Sequence, residues 1–310
     1  MEPALAVPPL RSWLFVPGDS ERKQEKALGS AADAVILDLE DSVTLAELPA
    51  ARTRVANLLQ SHRPHGAPQL WVRPNAPASG LLREDLEAIF TGGAPAGLVL
   101  PKVSAATEIQ AVVRQLAGLE ARGGVRPGKT RLLIIATETP AAVLALPQYP
   151  AVLGSVKGLR QRIAGLTWGG EDLSAALGAL AQRDTTGALT FTFQLARSHC
   201  LLAAAALDVQ AIDTVCTDFR DSARLQHELD AARRDGFSGK LAIHPDQIAA
   251  INAAFAPTDA EREHAQRVVA AFATAPAAGV VSLDGRMIDR PHLLQAQRIL
   301  AVAERARGGT

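Results

Sequence analysis

The chain has 310 residues, 48% of them hydrophobic, which is enough for one large core. It carries 32 basic and 32 acidic residues, so its formal net charge of +0 argues against nucleic acid or an anionic membrane surface as a partner. Its two cysteines, Cys200 and Cys216, lie in apolar segments without metal-binding spacing, which predicts buried free thiols. Without a signal segment or a run of about 18 apolar residues, we expect a cytoplasmic protein.

Short apolar runs rich in β-branched residues recur along the chain, with room for a helix between them. Eight such runs predict strands: Ser12–Val16, Ala34–Asp38, Gln69–Arg73, Gly97–Leu100, Arg131–Ala136, Ile163–Trp168, Gln210–Val215 and Lys240–Ile243. Between two of them, Ile109, Val112 and Leu116 fall three or four residues apart, as in an amphipathic helix. Eight strand–helix units predict a (β/α)8 TIM barrel over residues 1–256.

Two features bound this prediction. A doubly wound sheet would carry a glycine-rich signature after its first strand, but Pro17-Gly18-Asp19-Ser20 is not GxGxxG. After the barrel, residues 257–310 predict a helix to about Ala273, an extended ribbon over 279–289 and a last helix from Pro291. We expect this small C-terminal helical lid and oligomerisation segment to be too short for a core of its own.

Acids follow two neighbouring predicted strands. Glu138 ends the apolar run before Pro140, and Asp172 follows Gly169 and Gly170 at the end of the next run. The carboxyl ends of barrel strands meet at one face, so the two carboxylates can converge on one cation. Mg²⁺ needs only one or two protein carboxylates and keeps places for substrate oxygens. The pattern predicts that Glu138 and Asp172 are metal ligands.

Further charged residues end other strands. Asp38, Glu40 and Asp41 form a dense acidic cluster that either orients water around a metal or is a solvated turn. Arg73 can hold a substrate carboxylate as a bidentate fork or form a salt bridge with a barrel acid. Lys102 is expected to pair with Glu138 or Asp41 and to tune their charge.

Together these motifs resemble the HpcH/HpaI aldolase and citrate lyase β-subunit family, of the CoA-ester lyase type. The resemblance runs from about Arg11 to Leu300 and rests on ordered motifs: Arg11–Asp19, Ile36–Val43, Val72-Arg73, Leu100-Pro101-Lys102, Ala136–Thr139, Trp168–Leu173, Ile243-His244-Pro245 and Met287-Ile288-Asp289. It implies a Mg²⁺-dependent barrel lyase, with Mn²⁺ as a substitute, that splits or joins a carbon–carbon bond in a 3-hydroxyacyl-CoA thioester.

The resemblance also assigns roles. Glu138 and Asp172 match the family's metal ligands, and Arg73 matches the arginine that grips the keto-acid carboxylate. Asp289 matches a catalytic aspartate that a C-terminal lid delivers into an adjacent subunit, which implies a homotrimer or hexamer. Ser20 stands where members often have a CoA-binding arginine, so Arg22, Lys23 and Lys26 are the expected substitutes.

Three alternatives stay open. The chain could be a citrate lyase β subunit that acts on a citryl group carried by an acyl carrier protein. It could be a class II pyruvate aldolase acting on a free hydroxy-keto acid, although such an enzyme would not need the Met287-Ile288-Asp289 lid. A catalytically silent barrel that serves as a binding protein is disfavoured by the intact acids and Arg73.

Overall fold

Eight parallel strands close into a barrel in the computed structural model, which describes residues 9–62, 68–122, 124–156, 158–275 and 278–307. Each strand pairs with its successor, and the first pairs with the last. The strands are β1 (Ser12–Pro17), β2 (Ala34–Asp38), β3 (Gln69–Arg73), β4 (Gly97–Leu100), β5 (Arg131–Ile135), β6 (Ile163–Thr167), β7 (Gln210–Asp213) and β8 (Gly239–Ala242). The TIM-barrel prediction is confirmed.

Helices connect the strands on the outside. They are α1 (Glu21–Leu28), α2 (Leu48–Ser61), α3 (Leu82–Gly92), α4 (Ala106–Arg122), α5 (Pro140–Ala145), α6 (Tyr149–Ser155), α7 (Leu159–Arg162), α8 (Gly170–Leu177), α9 (Phe191–Leu207), α10 (Ser222–Asp235) and α11 (Ile248–Phe255). The apolar stripe of α4 is buried, as its spacing predicts. The described helices include none that is long and apolar enough to cross a membrane.

Large apolar side chains fill the barrel. Trp13, Ile36 and Trp71 belong to one buried cluster with residues of β4, β5, β7 and β8. The two indole rings meet edge to face with centroids 4.8 Å apart. Gly97 leaves the room they need, because a Cβ there would lie 2.2 Å from the Trp71 ring. Both cysteines are buried and free, as expected.

The register of the first three strands brings polar side chains to one level. Pro17 pairs with Asp38, and Asp38 pairs in turn with Arg73. On the other side, β5 and β6 pair through Ile135 and Thr167, with a register shift near Leu132. Glu138 and Asp172 follow these two strands, so they start from neighbouring positions at the carboxyl end of the barrel.

The chain divides into two compact units, one spanning Leu10–Asn252 and the other containing Ala253–Thr310. In the second unit, α12 (Asp259–Ala273) and α13 (Arg290–Arg307) pack together with a hairpin of β9 (Val280–Leu283) and β10 (Arg286–Asp289). Asp284 and Gly285 both have positive φ, as a two-residue type I′ hairpin turn requires.

The expectation that this tail lacks a core of its own is wrong. Val268, Phe272 and Ile288 are buried in a small cluster with Ala265 and Ala296. Two helices packed against one face of a hairpin are enough to enclose such a cluster. The domain boundary after residue 256 stays a prediction.

One buried ion pair ties together the starts of β5 and β6. Arg162, just before β6, donates two hydrogen bonds of 2.8 Å to the carboxylate of Glu120 on α4. The same carboxylate accepts from the backbone N–H groups of Gly128 and Thr130, just before β5. Although burial opposes ionisation, these donors lower the pKa of Glu120 to about 2.

We expect Glu120→Gln to lower the free energy of unfolding by about 3 kcal/mol, because it leaves the Arg162 guanidinium buried without a countercharge. A depressed pKa stabilises the fold above the unfolded-state pKa of about 4.3, and this contribution is lost as the pH falls toward 2. The gap between wild type and variant should therefore narrow below pH 4. Urea unfolding followed by circular dichroism measures both effects.

Arg83→Ala is the matched control, because it breaks an exposed pair with Glu87 and should change stability by less than about 1 kcal/mol. Equal losses in the two variants, or a gap for Glu120→Gln that stays constant with pH, would contradict the assignment.

Candidate active site

A cavity of about 890 Å³ lies at the carboxyl ends of the barrel strands. This volume is in the range of sites that enclose a small-molecule ligand. Acidic, basic and apolar groups line it in separate sets: Asp38, Asp41, Glu138, Glu171 and Asp172; Arg22, Lys23, Lys26 and Arg73; and Phe15, Val16, Ile135, Trp168, Val215, Leu241 and Ile243 among the apolar ones. The cavity is thus lined by eight of the charged residues that the sequence analysis selected, whereas Glu40 and Lys102 are not among its lining residues.

Glu138 and Asp172 interact electrostatically across the β5–β6 edge. Glu138 is 3% exposed, whereas Asp172, in the first turn of α8, keeps 32% of its side chain accessible. Gly169 leaves room for the Glu138 side chain, because a Cβ at this position would lie 2.5 Å from Cγ of Glu138. Glu171, beside Asp172, is also in the first helical turn, where negative charge is favourable.

The carboxyl group of Glu138 is difficult to ionise without a cation. Burial raises its pKa to about 8, and the negative charges of Asp172 and Glu40 act in the same direction. The backbone N–H of Lys102 and the charge of Arg73 offset only part of this increase. A buried carboxylate next to a second carboxylate is the oxygen-rich environment that suits a divalent cation.

Arg73 is held by the acids of β2. Its Nε and Nη2 donate to the two carboxylate oxygens of Asp38 at 2.7 and 2.8 Å. Nη1 lies 3.0 Å from Oε2 of Glu40 and 3.6 Å from Oδ2 of Asp41. The alternative of a salt bridge to a barrel acid is therefore present, yet the guanidinium still borders the cavity and lies 4.9 Å from the Phe15 ring centroid.

The Asp38 carboxylate is itself held in place by hydrogen bonds. It also accepts from the backbone N–H groups of Glu40 and Ser42 at 3.0 and 3.2 Å. Although burial alone would raise its pKa, Arg73 and these donors lower it below the usual value. Asp38 is therefore ionised at neutral pH and fixes the plane of the guanidinium.

Lys102 links the remaining acids. Its backbone N–H donates to Oε2 of Glu138, and its ammonium contacts Glu40, Asp41 at 2.9 Å and Asp172 at 3.3 Å. These carboxylates raise its pKa despite partial burial. Its φ of +50° lies in the left-handed region, which costs a non-glycine residue about 1–2 kcal/mol. The expected pairing with Glu138 is made by the backbone, and the pairing with Asp41 by the side chain.

The charges of this group do not balance. Among the residues that the structure describes, five acids interact with two cations, Arg73 and Lys102; the acids are Asp38, Glu40, Asp41, Glu138 and Asp172. The described residues contain no cluster of three or more His, Cys, Asp or Glu side chains arranged around a metal position. Two carboxylates and an excess of negative charge nevertheless fit Mg²⁺, which takes most of its ligands from water and substrate.

The basic residues proposed for CoA lie on another wall of the cavity. Arg22, Lys23 and Lys26 belong to α1, the helix that follows β1, and their side chains line the cavity together with Pro17. Ser20, at the position of the family's arginine, precedes the first residue of α1. Anionic groups of a ligand can reach these bases without meeting the acids at β5 and β6.

Asp289 belongs to the second unit. Its neighbour Ile288 points into the small core, so alternation along β10 turns Met287 and Asp289 toward the outer face of the hairpin. Met287 is 69% exposed. A hydrogen bond with His292 lowers the pKa of Asp289.

Sequence reasoning missed the partners that hold the cavity wall. Nε1 of Trp168 donates to Asp213 at 2.7 Å, and Asp213 pairs with Arg197 and with the fully buried Lys240. Charged residues inside strands β7 and β8 were the available signal, since such residues are rarely buried unless they are paired.

Comparison with known proteins finds relatives that include two lyases and a thioesterase. The chain is 35% identical to the (3S)-malyl-CoA thioesterase of Cereibacter sphaeroides over 96% of this chain and 95% of that protein. It is 34% identical to human mitochondrial citramalyl-CoA lyase, covering 95% and 86%, and 35% identical to the citrate lyase β subunit of Escherichia coli K12, covering 95% and 93%.

A solved structure with the same fold carries ligands. CitE of Mycobacterium tuberculosis in complex with magnesium, acetoacetate and coenzyme A superposes with a TM-score of 0.75 at 31% identity, covering 97% of this chain and all of that one. Residues 11–245 match the family described as HpcH/HpaI aldolase/citrate lyase. This match spans more than half of the chain and agrees with the barrel and its acidic cavity, and the chain therefore belongs to the HpcH/HpaI aldolase/citrate lyase family.

Proposed function

We propose that the protein is a Mg²⁺-dependent carbon–carbon lyase acting on a 3-hydroxyacyl-CoA such as malyl-, citramalyl- or citryl-CoA. It releases an acyl-CoA and a 2-keto acid, or joins them in reverse. One observation carries the proposal: the buried Glu138 and Asp172 share a cavity of about 890 Å³ with Arg73 and with the bases of α1. The relatives named as malyl-CoA, citramalyl-CoA and citrate lyase proteins support this substrate class.

The acidic end binds the keto-acid half. Glu138 and Asp172 would hold Mg²⁺, which when bound would supply Lewis-acid polarisation of the oxygens of that half. Arg73, fixed by Asp38, presents its remaining N–H groups to the keto-acid carboxylate. Because Asp38 and Glu40 already neutralise part of its charge, Arg73 serves mainly to position the carboxylate rather than to attract it.

Asp289 of a neighbouring subunit moves the proton. In the joining direction its carboxylate takes a proton from the α-carbon of the acyl thioester, that carbon bonds to the keto carbonyl carbon as the carbonyl π bond breaks, and the resulting alkoxide takes a proton from solvent. In the cleavage direction the hydroxyl gives its proton to solvent, the carbonyl re-forms as the carbon–carbon bond breaks, and protonated Asp289 gives its proton to the α-carbon. The hydrogen bond with His292 lowers the pKa of Asp289, so the carboxylate that takes the proton in the joining direction is ionised at neutral pH.

The basic wall binds the CoA half. Arg22, Lys23 and Lys26 meet its phosphates, and the apolar wall of Val16, Val215 and Ile243 follows its thioester arm. Because Asp289 acts in a second copy, the active form is an oligomer, and the family resemblance favours a homotrimer or hexamer. A carrier-protein thioester, as in citrate lyase, is the alternative substrate.

A panel of malyl-, citramalyl- and citryl-CoA with Mg²⁺ tests the function. A lyase releases a 2-keto acid and an acyl-CoA and leaves no free thiol, whereas a thioesterase, the activity in the name of one relative, releases free CoA that reacts with a thiol reagent. Activity on citryl carrier protein alone would favour the citrate lyase alternative, and activity on free hydroxy-keto acids alone a pyruvate aldolase. No turnover of any of these would leave a binding protein.

We expect Asp172→Ala to lose its response to Mg²⁺ and more than about 100-fold of kcat/KM, because a lost ligand costs at least as much as a lost outer-shell partner. Titration of activity and of Mn²⁺ binding measures both. Asp230→Ala removes an acid of α10, away from the cavity, and should leave both unchanged. Unchanged Mg²⁺ dependence in Asp172→Ala would remove Asp172 from the metal site.

Asp289→Asn should keep Mn²⁺ affinity and lower kcat by about 10²- to 10⁴-fold, the usual contribution of one proton-transfer group. Co-expression of Asp172→Ala and Asp289→Asn chains tests the intersubunit arrangement. Random mixing gives about one quarter of the sites an intact barrel and an intact lid from different chains, so about that share of activity should return. Mixed oligomers as inactive as their parents would place Asp289 in its own chain's site or outside the chemistry.

A further inference from the structure

We infer that Lys102 is a positioning residue that acts as a tethered substitute for the metal: its ammonium pairs with Asp172 when the cation is absent and weakens cation binding when it is present. This inference rests on the proposed metal site. It concerns a residue that contacts both proposed ligands, Glu138 through its backbone N–H and Asp172 through its side chain.

The backbone conformation of Lys102 is the first observation. Residues without glycine's freedom seldom adopt a φ of +50°, and such conformations are maintained where the surroundings demand them. Here the left-handed conformation directs the N–H of Lys102 at the carboxylate of Glu138, a buried acid at the end of β5. The strained backbone of Lys102 therefore orients Glu138, one of the two proposed metal ligands.

The position of the ammonium is the second observation. It lies among Glu40, Asp41 and Asp172, and only 28% of the Lys102 side chain is exposed. Its contact of 3.3 Å with Asp172 is longer than those with Glu40 and Asp41, so Asp172 is the partner that the ammonium can release most easily. Glu40 and Asp41 would keep the ammonium in place after that release.

These contacts predict competition. A divalent cation on Asp172 must share that carboxylate with Lys102 or displace it, and a positive charge within about 4–6 Å disfavours a second one. Without metal, the ammonium thus reduces the repulsion between the carboxylates. With metal, it limits how tightly the cation binds. A lyase gains from such a limit, because tight binding of substrate and metal in the ground state does not raise turnover.

The test is Mn²⁺ affinity, measured by isothermal titration and by the Mn²⁺ electron paramagnetic resonance signal. We expect Lys102→Met and Lys102→Gly each to bind Mn²⁺ at least about tenfold more tightly than the wild type, because both lack the ammonium. Lys102→Gly adopts positive φ without strain, so it keeps the N–H on Glu138 and remains informative should Lys102→Met fold poorly. Lys102→Arg restores the charge and should restore much of the wild-type affinity.

Lys129→Met is the matched control, because it removes an exposed lysine from the turn before β5 and should leave Mn²⁺ affinity unchanged. Affinity in Lys102→Met and Lys102→Gly that equals or falls below that of a Mn²⁺-binding wild type overturns the inference alone. A wild type that binds no Mn²⁺ overturns the proposed metal site itself, and the inference with it.

Discussion

An excess of negative charge at the carboxyl end of the barrel is the constraint from which the site follows. Five acids of the described chain converge on two cations, Arg73 and Lys102, so this group has an excess of three negative charges when all the acids are ionised; the acids are Asp38, Glu40, Asp41, Glu138 and Asp172. Buried charges of one sign are costly, and the raised pKa values of Glu138 and Glu40 express that cost. A divalent cation relieves most of it, which explains why the acids can be kept together.

The barrel makes this convergence possible because the register of its strands is fixed. The pairing of Asp38 with Arg73 follows from β2 and β3 lying in register, and the Glu120–Arg162 ion pair holds the starts of β5 and β6. Small residues then bring the backbones close where side chains must meet, as Gly169 does at Glu138. In β5 and β6, the contacts that hold the strands together therefore lie at their starts, and the residues of the site follow their ends.

Much of this could be predicted from the sequence, and the limits have physical causes. All eight strands were predicted, because buried parallel strands are short continuous apolar runs that end in polar residues. The helices α6, α7 and α8 were not, since a strand–helix unit predicts one helix between consecutive strands and these three are additional helices between β5 and β7. The acids and Arg73 could be selected by position, but not the bidentate Asp38 pair, the φ of Lys102 or the small core of the tail, which depend on contacts distant in sequence.

The place of Asp289 follows from the same electrostatics. A further carboxylate buried beside Glu138 without a basic partner would meet the same desolvation and like charge that raise the pKa of Glu138, and once protonated it could not take a proton. On the hairpin of the second unit, Asp289 has His292 as its partner and a lowered pKa. The acid proposed to move the proton is thereby kept ionised by a partner outside the metal-binding cluster, so that the two carboxylate functions, holding a cation and taking a proton, are tuned independently.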